Sequence, residues 1–453
     1  MTQLTARTSA PPAVMAVVAV GVLLSGFDLF IVNVALGDIA VSLGVDDLSD
    51  LSWILNAYAI TFAALLVPAG RVSDLIGSKR GFLAGLLVFT AASAACALTS
   101  DLGALVGFRV LQAAGAALMI PSSLGLVLAA FPAESRSGAV RLWAGLGGIG
   151  AALGPVAGGV LVQADWRWVF LVNVPLGLAA AFVGWRVLPV TAGHPGTRPG
   201  LGGAALLVVT VAALVLLLVE GPEWGWTSSR TLAVGTVVAL GLVLNAAAVT
   251  RAAAPIVTPA LLRTPHFAAM SVTLLAFHVA FGAMLLSVVL WLQDVWDLSA
   301  LRTGLAIAPG PLLVPFVAVY GGRLIAVIGP RAVIALGSGV FTAGVASWAL
   351  LAGPSTAYAA SILPGMLLTG ISVGLVVPPA MALGTSQLPP PQHGTGSAVL
   401  QTARQVGIAI GVAVVVAVLT AGPPGAEAFA TAWWTTAAFA LLAAATTFTR
   451  SAR

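Results

Sequence analysis

Fourteen apolar stretches, each long enough to cross a bilayer as a helix, follow one another along this chain and leave it few ways to fold. They fall at about 13–36, 51–73, 80–100, 102–130, 138–162, 168–189, 201–220, 231–250, 266–292, 301–324, 330–352, 356–380, 396–420 and 428–449. At about 1.5 Å per residue, roughly 20 residues span a hydrocarbon core of about 30 Å. Water does not reach backbone amides there, so each stretch has to satisfy its own as a helix. Only 7% of the 453 residues are charged, against about 25% in a soluble domain. The expected fold is an all-α membrane protein with 14 transmembrane helices. Pro, Gly and charge mark the breaks, as in Gly221-Pro222-Glu223-Trp224-Gly225-Trp226 and Pro389-Pro390-Pro391.

An even number of spans puts both termini on one side, and the positive-inside rule chooses which. With the termini cytoplasmic, only Arg167, Arg230 and Arg302 of the basic residues fall outside, while Arg109 and Arg404 lie within spans. The others, among them Arg71, Lys79, Arg80, Arg141, Arg323 and Arg331, fall inside. The acids do the reverse: Asp74 and Glu134 are inside, Asp28 is the one placed within a span, and the rest are outside. The expected location is the plasma or inner membrane, multi-pass, with both termini cytoplasmic. The net charge of +5 is spread over these short loops, so no nucleic-acid partner is expected. Cys96 is the single cysteine, which leaves no disulfide and no cysteine metal site. No small-residue cleavage site follows a short apolar core, so the first helix reads as a retained span.

The chain repeats itself. Gly70-Arg71-Val72-Ser73-Asp74-Leu75-Ile76-Gly77-Ser78-Lys79, after span 2, matches Gly322-Arg323-Leu324-Ile325-Ala326-Val327-Ile328-Gly329-Pro330-Arg331, after span 10, at an offset of 252 residues. A weaker match aligns Ala139-Val140 and Gly148-Ile149 of span 5 with Ala398-Val399 and Gly407-Ile408 of span 13. Repeated halves suggest two parallel six-helix bundles, as secondary transporters have. The first would occupy residues 1–200 and the second 256–453, with spans 7 and 8 inserted between them over 201–255.

Ionisable groups inside a membrane are costly, at about 2.5–3.5 kcal/mol on insertion scales, and mark functional sites by default. Asp28 lies about eight residues, or roughly 12 Å, below the outer end of span 1. Arg109 lies at a similar depth in span 4. Each is cheaper as a member of a pair than alone. A helix movement that makes or breaks the pair would release or load a proton; the alternative is a static structural salt bridge. In span 5, the run Gly145 to Gly159 permits close helix contact, and Gly154-Pro155 should bend the helix. Either this helix is passively packed or it gates one side of a central cavity.

These stretches carry a resemblance. Gly70 to Arg80 resembles the loop 2–3 motif of the major facilitator superfamily. Arg109-Val110-Leu111-Gln112-Ala113-Ala114-Gly115 resembles its helix 4 proton-transfer motif, and Gly150 to Gly159 the helix 5 motif of its antiporters. Phe27 to Leu36, Trp166 to Gly177 and Ser397 to Gly407 are similar to signatures of its fourteen-helix drug:proton antiporter branch. The resemblance implies that Asp28, Arg109 and Gln112 couple protons and that Arg71, Asp74, Arg80, Gly154 and Pro155 gate. Asp74 matches the loop acid that braces the cytoplasmic gate, and it could do so by capping the N-terminus of span 13, where the helix dipole favours an anion. Ala326 replaces that acid in the second copy. Spans 9 to 14 hold no acid at depth, which disfavours dicationic substrates.

For a substrate cavity the candidates are Asn33, Tyr58, Met119, Trp143, Phe277, His278, Phe281, Trp291 and Gln401, each of which could equally be packed in a core or face lipid. His278 is either a hydrogen-bonded structural group or a second protonatable one. Arg404 either snorkels to the interface or lines the cavity floor. Trp224, Trp226, Trp433 and Trp434 fit an interfacial belt.

The sequence thus points to a secondary transporter that exports small amphipathic organic compounds, drugs or antibiotics among them, in exchange for protons by alternating access, with no cofactor and as a monomer. Rivals are a dedicated exporter of one natural product or lipid, a proton-coupled importer, and a membrane enzyme or receptor. The last finds no metal-ligand cluster and no paired nucleophile and base. No G-x-x-x-x-G-K loop is present, so an ion gradient is the expected energy source rather than ATP.

Overall fold

A computed structural model describes residues 11–45, 48–191, 193, 201–251, 258–353, 357–389, 392–421 and 425–448. The described residues form helices and no strand. In order, the long helices are α1 (Pro11–Leu43), α2 (Leu48–Ile76), α3 (Ser78–Leu98), α4 (Leu102–Ala130), α5 (Ala133–Val162) and α6 (Asn173–Val187). They continue as α7 (Leu201–Trp224), α8 (Ser229–Arg251), α9 (Pro265–Leu290), α10 (Pro309–Ile328), α11 (Pro330–Leu351), α12 (Leu363–Thr385), α13 (His393–Ala421) and α14 (Ala426–Thr446). Short helices Trp168–Leu171 and Ala300–Ile307 lead into α6 and α10. Among the described residues, thirteen segments are long and apolar enough to cross a membrane, and the chain is a multi-pass membrane protein. α5 is not among the thirteen; several of its side chains, Pro155 included, lie outside the described residues, as does the side chain of Asn33.

Prolines 68, 121, 315, 378 and 379 sit inside these helices. In a membrane bundle neighbouring side chains and local adjustments re-satisfy the carbonyls that proline frees. α5 also runs unbroken through Gly154 and Pro155.

The helix pairings repeat with a shift of eight elements. α1 packs on α5 and α9 on α13; α2 and α3 pack on α4, and α10 and α11 on α12. The cross-contacts obey the same relation, with α2 against α13 and α5 against α10. The turns agree as well. Gly77 separates α2 from α3 at φ 91°, and Gly329 separates α10 from α11 at φ 80°, 252 residues later. Both values lie where a Cβ is strained, so glycine is required at each turn. The α1–α5 and α9–α13 crossings are matched too. A Cβ on Gly150 would stand 2.9 Å from the Leu23 carbonyl, and one on Gly407 2.5 Å from that of Leu275; the leucines are 252 residues apart and the glycines 257.

α7 lies against α2 and α13, and α8 mainly against α7. These two are among the least buried of the spans, as expected for helices added to the outside of a bundle. One expectation is corrected here. Glu220, which charge counting assigns to the outer loop, is 4% exposed near the end of α7 and accepts a hydrogen bond from Asn56 Nδ2 of α2 at 2.9 Å. A carboxylate one turn from a helix end can turn back into the helix contact when an amide is there to receive it.

Candidate functional site

Four helices converge on Asp28. Its carboxylate is fully buried and pairs with Arg109 Nη1 through Oδ2 at 2.5 Å. Oδ1 accepts from Gln112 Nε2 at 2.7 Å and more distantly, at 3.4 Å, from Asn173 Nδ2 of α6. Arg109 Nη1 also donates to Gln112 Oε1 at 2.7 Å, and its Nε to the Ile54 carbonyl of α2 at 3.1 Å. Ser93 of α3 receives Gln112 Nε2 and Asn173 Nδ2 and donates to the Phe170 carbonyl. Arg109 and Gln112 are three residues apart, so one helical face of α4 presents both to α1. The structure therefore brings Asp28, Arg109 and Gln112 together at one depth. Asn173 and Ser93 are members that sequence reasoning did not single out. The one signal for Asn173 was its place in the Trp166 to Gly177 stretch; nothing in the sequence around Ser93 marked it.

Buried charges of this kind are stabilised only when paired and hydrogen-bonded. The guanidinium is further held with Cζ 4.2 Å from the centre of the Tyr58 ring, a cation–π contact worth about 2 kcal/mol where water is excluded.

Tyr58 is the partition between this pair and a cavity of about 170 Å³. Around the cavity stand Tyr58 and Trp143 from the first half of the chain and His278, Phe281, Gln401 and Arg404 from the second. Drug-sized sites hold about 300–1,000 Å³, so a ligand of that size requires the helices to part. Among the remaining candidates whose side chains are described, none lines it. Met119 is fully buried against α3, within 3.1 Å of where a Cβ on Gly85 would sit. Phe277 is fully buried and packs edge-on against both Phe341 and its neighbour His278, with ring centres 5.2 and 5.7 Å away. Trp291 is enclosed by Phe429 and Trp433, each 5.2 Å away. Trp433 is itself 1% exposed and packs on Trp348, so it is a core residue rather than a belt residue; its neighbour Trp434 is 49% exposed. Adjacent residues on a helix point about 100° apart, and in these cases a core contact took the aromatic.

Arg404 lies about 11 residues, or roughly 16 Å, into α13, and its side chain is held at the cavity rather than reaching along the helix toward its end. Its Nε donates to His278 Nε2 at 2.9 Å and its Nη1 to Gln401 Oε1 at 2.5 Å. His278 Nδ1 faces the Leu274 carbonyl at 2.8 Å. A carbonyl only accepts, so Nδ1 carries the proton, Nε2 receives from Arg404, and the ring is neutral.

At the other end of the cavity axis, Asp74 closes α2 onto the start of α13. Its Oδ1 accepts from the Gly394 amide at 2.8 Å, and its Oδ2 from the Thr395 amide at 2.9 Å and the Thr395 hydroxyl at 2.7 Å. The acid thereby satisfies two of the free amides of the α13 N-terminus and opposes its dipole. Approach this close needs glycine at Gly70, where a Cβ would be 2.5 Å from the Gly394 carbonyl. Arg71, three residues before Asp74, shares its helix face, whereas Arg80 is exposed at the start of α3. Gly154 is buried in α5.

The chain matches the sequence pattern of the Major Facilitator Superfamily over residues 18–412. It is 32% identical to the multidrug resistance protein Stp of Mycobacterium tuberculosis over 403 residues, covering 88% of this chain and 74% of that protein. It is 33% identical to the tetracenomycin C resistance and export protein of Streptomyces glaucescens over 409 residues, covering 89% and 74%. The methylenomycin A resistance protein of Bacillus subtilis is 32% identical over 418 residues, covering 89% and 86%. Among solved structures, a human organic anion transporter superposes with a TM-score of 0.70 over 96% of this chain and 99% of that one, at 17% identity, a likeness of fold.

Proposed function

The chain belongs to the Major Facilitator Superfamily, a family of transporters rather than enzymes, and from that premise we propose that it exports small amphipathic organic compounds in exchange for protons. The observation that carries the reading is the buried Asp28–Arg109–Gln112 cluster set one aromatic ring behind the cavity. An ion pair that is neutral while intact, and that leaves a proton-accepting carboxylate when parted, is what coupling requires. Relatives named for multidrug and antibiotic resistance support the direction of transport.

In this reading α5 is the fourteenth span, and the chain divides into six-helix bundles over 1–200 and 256–453 with α7 and α8 inserted over 201–255. Both termini lie in the cytoplasm of a cell whose plasma or inner membrane holds the protein as a monomer. The Asp74 cap on α13 and the α1–α5 crossing at Gly150 act as the cytoplasmic gate, with Arg71, Arg80, Gly154 and Pro155 around them. Substrate reaches the cavity from the cytoplasmic side; protonation of Asp28 from outside frees Arg109 and permits the return. The proton gradient replaces any cofactor. Relatives named after single antibiotics favour a second reading with the same cycle, a dedicated exporter of one compound.

The test is dye efflux from proteoliposomes under an imposed pH gradient, run with ethidium and with 8-anilinonaphthalene-1-sulfonate, with wild type beside Asp28→Asn. Gradient-dependent efflux that is lost in the variant supports the reading. Gradient-driven efflux that survives in the variant removes Asp28 from coupling. Facilitated movement that ignores the gradient in wild type rejects proton exchange.

A further inference from the structure

The polar equipment of the cavity is one-sided. Arg404 is the single Lys, Arg, Asp or Glu among its described lining residues. Its two hydrogen-bond partners, the neutral His278 ring and the Gln401 amide oxygen, leave the charge uncancelled. Among the described residues no carboxylate lies within ion-pair distance of it, and its Nη2 group makes no hydrogen bond. The nearby carboxylate of Asp28 does not line the cavity; Arg109 and Gln112 hold it on the far side of Tyr58. A cation at membrane depth without a counter-ion is costly unless something supplies one.

We propose that the cavity selects organic anions: amphipathic molecules with a single carboxylate, sulfonate or comparably acidic oxygen that meets Arg404, and an apolar or aromatic body that lies against Tyr58, Trp143 and Phe281. This rests on the export reading above and adds to it the charge of the cargo. His278 and Gln401 orient the guanidinium by occupying Nε and one Nη1 hydrogen, and this turns the Nη2 edge of its planar fork toward the cavity. A guanidinium offers two parallel N–H groups to two oxygens of one acid, which gives geometry as well as charge. A cationic ligand would meet Arg404 with no carboxylate to offset the repulsion. A neutral one would keep the apolar contacts and lose the pairing.

The test uses two fluorescent probes with one skeleton, 8-anilinonaphthalene-1-sulfonate and uncharged N-phenyl-1-naphthylamine, with ethidium as the cation. Binding is measured on the full chain in phosphatidylcholine nanodiscs, with empty discs subtracted. The sulfonate should bind wild type at least about tenfold more tightly than its neutral parent, the scale of one hydrogen-bonded charge. Arg404→Gln should erase that ratio while leaving the neutral probe, which also reports an intact cavity, and Arg404→Lys should restore part of it. Equal affinity for the two naphthalenes in wild type, tighter binding of ethidium, or no binding of the sulfonate overturns the proposal, and none of these needs the variant to fold. Transport separates the two claims. Ethidium efflux driven by the gradient without sulfonate preference removes the anion and keeps the exporter; sulfonate preference without gradient-driven movement of any probe does the reverse.

Discussion

At the scale of single residues, Arg109 is a group that no other side chain replaces without loss. It meets Asp28 and Gln112 with one nitrogen, the Ile54 carbonyl with another, and the Tyr58 ring with its plane. Lysine has three donors on one atom and no plane, so Arg109→Lys cannot make these contacts together. Removing one partner of a buried pair costs about 3–5 kcal/mol, because the other charge is left uncompensated. Arg109→Leu should therefore lower the thermal midpoint in detergent substantially. The double variant Asp28→Asn/Arg109→Leu should recover part of the loss, since neither charge then remains. Thermal unfolding of the three proteins checks this; equal loss in single and double variants would mean that the pair does not carry the energy.

At the scale of elements, the turns after α2 and α10 separate two physical costs. Gly77 and Gly329 share a positive φ. A Cβ at Gly329 meets nothing within 4 Å, whereas one at Gly77 would lie 2.3 Å from the Thr191 carbonyl. Gly329→Ala should cost about 1–3 kcal/mol, the strain of putting a Cβ at φ 80° and ψ 159°, a region essentially reserved for glycine. Gly77→Ala should cost more, because the contact that ties Lys79 to the end of α6 through the Trp185 and Leu188 carbonyls at 2.8 and 2.7 Å must shift as well. Thermal midpoints of the two variants give the comparison, and the order of the two is the outcome that matters. Repeated sequence thus kept the backbone of the turn and let its surroundings diverge.

At the scale of the whole molecule, the two halves of the chain meet through α2 on α13 and α5 on α10. The Asp74 cap is the polar contact that ties the first of these seams. Loss of a helix cap costs about 1–2 kcal/mol, which is a roughly five- to thirtyfold change in an equilibrium between closed and open seams. Asp74→Ala should raise the rate at which a cysteine placed at Gln405, on the cavity wall, is alkylated by a reagent that reaches it through that end. Cys96 is buried and should stay silent. An unchanged rate would mean that apolar packing, with Gly70 against Gly394 and Ala398, holds the seam without the cap.

What the sequence determined by itself follows from the bilayer. Backbone groups in hydrocarbon must bond locally, so each apolar run could only be a helix, and α3, α4 and α11 begin or end within a few residues of where their composition changes. Charges are so rare at depth that Asp28 and Arg109 had almost no other partners, and Asp74 had a helix start opposite it. Glycines at the repeated turns were legible because only a positive φ explains them twice. Tertiary structure decided which side of each helix faces what. A helix that is apolar all round carries no stripe to separate cavity, core and lipid, and lipid is as apolar as a neighbouring helix. Met119, Phe277, Trp291 and Trp433 therefore could not be assigned from periodicity and turned out to be packed in cores. Glu220 turned inward because Asn56, 164 residues away, is there to receive it. Arg404 turned toward the cavity because Gln401, three residues before it on α13, and His278 of α9 orient it; the His278 contact is a meeting of two helices that no spacing within either encodes.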